Sequence, residues 1–163
     1  MTFAIAIILS LMLLAVALFD ITKFIIPNWL NAAFILLYPI FLIITPQEIE
    51  WWWSLAAMAC FFAGGMLIFQ FNIMGGGDVK LLIALSLWIG WQGQTLLAFG
   101  LLVSIVGGVL AVFLLLSRFV IKLAKVKSPP RVLEKNAPIP YGIAIAYAFA
   151  TLIWKDQILG LIV

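Results

Sequence analysis

NIMGGGDVKLLIAL, residues 72–85, places three consecutive glycines before an aspartate, a valine and a lysine, and then returns to apolar residues. Gly75, Gly76 and Gly77 lose entropy on ordering and are poor helix formers, so a plain turn gains little from all three. What they permit is close approach, by a neighbouring helix or by an extended peptide. The apolar run that follows, residues 79–91, holds only thirteen residues. As a helix it rises about 20 Å, at 1.5 Å per residue, whereas a hydrocarbon core is ~30 Å thick. Counting it as a crossing or not decides which polar residues share a side of the membrane. We count it, as a short segment shielded by its neighbours, because Gly-rich backbone at membrane depth is tolerated where protein or a wet cavity covers it.

The rest of the chain supports a lipid setting. Of its residues 67% are hydrophobic and 9% charged, and the mean hydropathy is +1.30. Soluble domains are near half apolar and a quarter charged. We therefore read residues 1–163 as one all-α integral membrane domain. Six transmembrane segments are expected, over residues 2–19, 29–45, 51–71, 79–91, 95–117 and 139–162. The first ends at Asp20. Pro39 lies inside the second, where it removes a backbone donor. Trp51, Trp52 and Trp53 open the third as an interfacial belt. Ala15-Val16-Ala17 looks like a signal-peptide cleavage site, but the start Met-Thr-Phe-Ala has no Lys or Arg, so the first segment reads as a retained helix.

Charge sets the orientation. Lys23, Lys80, Arg118, Lys122, Lys125, Lys127, Arg131 and Lys135 fall in or beside the odd loops, eight of the nine basic residues; Lys155 is the ninth. Basic loops stay in the cytoplasm, so both termini are expected outside. Arg118, Lys122 and Lys125 recur at helical spacing, which predicts a separate interfacial helix in the fifth loop, ended by Ser128-Pro129-Pro130. Small residues also recur at helical spacing: Ala56, Cys60 and Gly64; Gly100, Ser104 and Gly108; Gly142, Ala146 and Ala150. These stripes predict helix packing.

Composition excludes several chemistries. The lone cysteine, Cys60, rules out an internal disulfide, and without histidine there is no cluster of zinc ligands. No cofactor and no metal are expected. No basic groove that would track nucleic acid is readable.

Six acids remain: Asp20, Glu48, Glu50, Asp78, Glu134 and Asp156. The topology puts Glu48, Glu50 and Asp156 on the outer side, and Glu134 among bases. Only Asp20 and Asp78 stand at the cytoplasmic ends of membrane segments, at one depth. An acid at such a place is costly and marks a functional candidate. The plainer alternatives are an N-cap role for Asp78 and a solvated boundary position for Asp20. Two carboxylates held close cannot both ionise cheaply and share a proton. One can take a proton from water while the other gives one to a carbonyl.

At these residues the chain resembles the type IV prepilin peptidases, membrane aspartyl proteases with a GxGD motif, and within them the short forms of tight-adherence (Flp pilus) systems. Gly75-Gly76-Gly77-Asp78-Val79-Lys80-Leu81 matches the GxGD motif and its continuation. Asp20 leading to Pro27-Asn28-Trp29 resembles the first-aspartate motif, and Pro140-Tyr141-Gly142 the last-helix motif. The resemblance implies Asp20 and Asp78 as the catalytic pair. It implies supporting roles for Gly75, Gly76, Gly77, Lys80, Pro27, Asn28, Pro140, Tyr141 and Gly142. It also implies cleavage of a basic leader from prepilin-like membrane substrates at the cytoplasmic face of the inner membrane, with membrane lipids around the enzyme and pilus or secretion assembly machinery as partners.

Here Pro27 and Asn28 are expected to start the second helix and Tyr141 to line the site. Lys80 reads most simply as an ammonium snorkelling to headgroups. The cysteine-rich segment of methylating family members has no counterpart, so methyl transfer is not expected. The alternatives are a six-helix transporter with proton-relay aspartates and a non-catalytic pilus-assembly scaffold.

Overall fold

A computed structural model describes residues 2–45, 49–71, 74–90, 93–124, 129–134 and 137–155. It is all-helical. In chain order the helices are α1 (Thr2–Lys23), α2 (Asn28–Ile44), α3 (Trp51–Gln70), α4 (Gly76–Ile89), α5 (Gly93–Leu123) and α6 (Tyr141–Trp154), with a short 3-10 turn at Arg131–Leu133. Phe3–Lys23, Trp51–Gln70 and Gly93–Leu123 are long and apolar enough to cross a membrane; α2 and α6 are shorter apolar helices.

The outer surface is apolar, with Leu11, Leu36, Ile43, Leu97 and Phe113 all exposed. Such a surface suits lipid, where helix backbones satisfy their own hydrogen bonds.

The short helix α4 is the centre of the bundle. Ten of its fourteen residues are buried, and α2, α3, α5 and α6 all pack on it. This cover explains how a helix only about 21 Å long is accommodated. An aromatic knot ties α2, α3 and α4 together. The Trp88 indole N–H donates to the Phe34 carbonyl at 3.0 Å. Its ring meets those of Tyr38 and Phe41, each 5.4 Å away between centroids. The Tyr38 hydroxyl lies 2.6 Å from the Ser54 hydroxyl.

Two sets of contacts give the helix directions. Gly142 lies against Asp20, while Trp154 bonds to Ser10, so α1 and α6 are antiparallel. Lys80 bonds to Asn28 and Trp88 to Phe34, so α2 and α4 run the same way. The end of α1 and the starts of α2, α4 and α6 therefore meet at one end of the bundle.

Several boundaries differ from the sequence expectation. Helix α1 continues past Asp20 to Lys23, because Asp20 keeps its helical carbonyl bond to the Phe24 N–H at 2.9 Å. Helix α4 begins at Gly76, three residues earlier than expected. Helix α5 is continuous through Arg118 and Lys122 to Leu123. The expected interfacial helix is thus the last two turns of α5; long basic side chains can reach polar surroundings without the helix ending. Lys125, Lys127, Lys135, Glu48, Asp156 and residues 156–162 lie outside the described residues.

Two of the small-residue stripes also face the wrong way for packing. Gly64, Gly100 and Gly108 have no atom within 4 Å of a built β-carbon, and Cys60 is exposed. Their neighbours do the work. A β-carbon on Gly65 would stand 2.7 Å from Val79, and one on Gly107 would stand 3.1 Å from the Tyr141 ring. The stripe on α6 does face inward, with Gly142 and Ala146 buried.

Candidate active site

Asp20 and Asp78 are drawn together by how their helices end and begin. Past Lys23, Phe24 takes a left-handed backbone with φ +54°, which stops α1 as a glycine normally would. The chain then runs through Ile25 and Ile26 to Pro27, whose extended backbone (φ −62°, ψ 139°) caps α2. Asn28 is its first residue. This short return leaves Asp20 in the last turn of α1, only 4% exposed.

Asp78 is the third residue of α4, behind the N-cap Gly75. It is therefore not the cap itself, but a carboxylate in the first turn, where the helix dipole and free N–H groups favour it. It is 9% exposed.

The three glycines each have a separate reason. A β-carbon on Gly75 would stand 3.1 Å from Asp78 Oδ2. One on Gly76 would stand 3.2 Å from the Phe69 ring of α3, and one on Gly77 would stand 3.4 Å from the Ile26 backbone nitrogen. The loop after α1 thus lies directly on the start of α4.

The start of α6 completes the arrangement. The backbone N–H groups of Gly142 and Ile143 lie near Asp20, and those of Gly142 and Gly75 near Asp78. One peptide group, that of Gly142, thus stands beside both carboxylates. The two acids are close enough for their charges to interact. Asp20 Oδ2 and Asp78 Oδ1 are buried without a hydrogen-bond partner. Pro140 is buried at the N-cap of α6. The Tyr141 ring lies against Gly107 of α5, and Tyr141 is not among the residues that line the cleft beside the acids.

A cleft of about 320 Å³ opens on the pair. The acids, the three glycines, Pro27, Asn28 and Lys80 all line it, with Phe24, Ile25 and Ile26 as its apolar wall. Lys80 Nζ donates to Asn28 Oδ1 at 3.0 Å. Among the described residues no three His, Cys, Asp or Glu side chains come together as a metal site. Two buried carboxylates on an open cleft can exchange protons with a bound water and a bound carbonyl.

The sequence reading missed part of the surroundings. Ending α1 at Asp20 hid Phe24. It also missed a tether from α5. Arg118 donates through Nε and Nη2 to the Val132 carbonyl, at 3.2 and 2.8 Å, and through Nη2 to that of Pro138 at 3.3 Å. Arg131 lies over the Phe24 ring, 5.9 Å from its centroid. These contacts join residues distant in the chain, and no local pattern announces them.

The family model for type IV leader peptidases matches residues 7–116, a stretch that contains both acids and the glycines. The chain belongs to the type IV leader peptidase family. Among curated relatives, a prepilin leader peptidase/N-methyltransferase of Pseudomonas aeruginosa is 40% identical over 86 residues, 52% of this chain and 24% of that protein. The relative of the same description from Aeromonas salmonicida is 36% identical over 86 residues, with the same coverage. The one from Stutzerimonas stutzeri is 40% identical over 86 residues, covering 25% of its length. The match spans about a quarter of these leader peptidases. No solved structure matches the chain.

Proposed function

We propose that the chain is a membrane aspartyl endopeptidase that removes the leader peptide from type IV prepilin-like precursors, with Asp20 and Asp78 as the catalytic pair. The observation that carries this reading is the meeting of two buried carboxylates, from the end of α1 and the start of α4, on one cleft. In the reaction, one carboxylate accepts a proton from the attacking water. The other, protonated, gives its proton to the scissile carbonyl oxygen. The tetrahedral intermediate collapses as the first carboxylate passes its proton to the leaving amine, the C–N bond breaks, and a hydroxyl of the diol returns its proton to the second carboxylate. Amide groups of Gly75, Gly142 and Ile143, beside the carboxylates, help to orient them.

Membership of the leader peptidase family supports prepilin-like substrates, which come with basic leaders. The basic residues of the odd loops support a cytoplasmic active site in the inner membrane. Methyl transfer is not part of the proposal, since paired carboxylates supply the acid–base chemistry of hydrolysis.

Asp20→Asn and Asp78→Asn test the reading. Asn keeps shape and hydrogen bonding but cannot carry the proton. Each variant is expected to accumulate in the membrane and to leave a co-expressed prepilin uncut. Processing at near wild-type rate by either one rejects the pair.

A further inference from the structure

Two cleft residues have no task in that reaction. Lys80 lies two residues past Asp78 on α4, and Asn28 opens α2. Both line the cleft, and their bond at 3.0 Å spans 52 residues of chain. Simple snorkelling does not account for it. Ordering a long lysine side chain costs rotamer entropy that a single exposed polar contact does not offset. The contact is fixed instead by the two helix starts, one set by Pro27 and the other by the glycines, with Ile26 laid on Gly77 between them.

The chemistry of the pair is one-sided. An ammonium has three N–H donors and the Asn amide two; their mutual bond uses one of these and one lone pair of Asn28 Oδ1. What remains on offer is mainly donors. Ionised Asp20 or Asp78 only accepts. An extended peptide in the cleft presents N–H and C=O groups in alternation, and its carbonyls need a donor that the ionised acids cannot supply.

We propose that Lys80 and Asn28 form a positioning subsite for a backbone carbonyl of the extended substrate beside the scissile bond, with Lys80 donating and Asn28 fixing the ammonium. The subsite rests on the proteolytic reading of the cleft.

The test is steady-state cleavage of a prepilin precursor by the purified full chain in neutral detergent micelles. A subsite that binds substrate and transition state alike acts on KM. Lys80→Met is expected to raise KM roughly tenfold, the loss of one charge-assisted hydrogen bond, with kcat little changed. Lys80→Arg should restore most of the loss. Asn28→Ala should raise KM less, and the double variant should be no worse than Lys80→Met alone, because Asn28 acts through Lys80. Thermal stability should stay level across the set.

Unchanged KM in Lys80→Met overturns the subsite, as do losses that simply multiply in the double variant. A defect seen only in vesicles of anionic lipid, and absent in micelles, assigns Lys80 to headgroups and overturns it too. Asp78→Asn is run alongside. Its loss of cleavage keeps the proteolytic reading in place whatever the lysine variants do, whereas cleavage by that variant overturns both.

Discussion

A β-carbon on Gly142 would stand 2.7 Å from Asp20 Oδ2 and 3.0 Å from its Cγ. Real side chains do not tolerate such a distance, and Ile26 blocks escape from the other flank at 3.0 Å. The absence of a side chain on α6 therefore sets where the carboxylate of α1 sits.

Gly142→Ala is expected to remove most cleavage while keeping every ionisable group. The methyl must displace Asp20 or shift the start of α6, and overpacking of this kind costs about 1–3 kcal/mol. Prepilin processing and a thermal melt check it. A variant as active and as stable as wild type would show that the acids do not depend on this contact.

Arg118→Met should loosen the segment between α5 and α6. It loses three hydrogen bonds to the carbonyls of Val132 and Pro138, and Met cannot replace a guanidinium fork. The expected results are faster proteolytic nicking near Arg131–Leu133 and a severalfold slower cleavage reaction, of the order that a lost charged hydrogen bond produces. Limited proteolysis of the membrane-embedded protein measures the first. An unchanged digestion pattern would remove the tether from the account.

Asn31→Leu should stabilise the protein. Asn31 is 5% exposed, and both polar atoms of its amide are buried without a partner. Leaving such a group unsatisfied costs about 1–3 kcal/mol, and Leu is a better helix former with the same branched skeleton. A lowered melting temperature would mean that Asn31 has a partner essential to the fold.

Reporter fusions after Glu50 and after Lys127 should fall on opposite faces of the membrane. Fusions on the same face would contradict the orientation proposed from the basic residues.

Much of the fold was legible because lipid imposes a simple rule. A crossing helix must be apolar for most of its length, so run length and charge alone outline six segments. Helix ends were less legible. Asp20 looks like a stop, yet a carboxylate can stay in a last helical turn when the start of another helix packs over it. Arg118 and Lys122 look like a stop for α5, yet long basic side chains leave the helix intact.

The small-residue stripes show the same limit. Spacing of four residues identifies a helix face, but it cannot say which face meets protein. Gly65 and Gly107 pack, while their neighbours Gly64 and Gly108 point into open space.

By itself, then, the sequence determined the helical class, the approximate segments and the two acids worth pairing, because periodicity, hydropathy and the cost of charge in lipid are local properties. The tertiary structure decided why each of the three glycines is there, that α4 is the buried centre, and that Gly142 stands beside both acids. It also decided that Lys80 binds Asn28 rather than standing alone. Those facts depend on distances between chain segments far apart in sequence, and such distances exist only once the helices have packed.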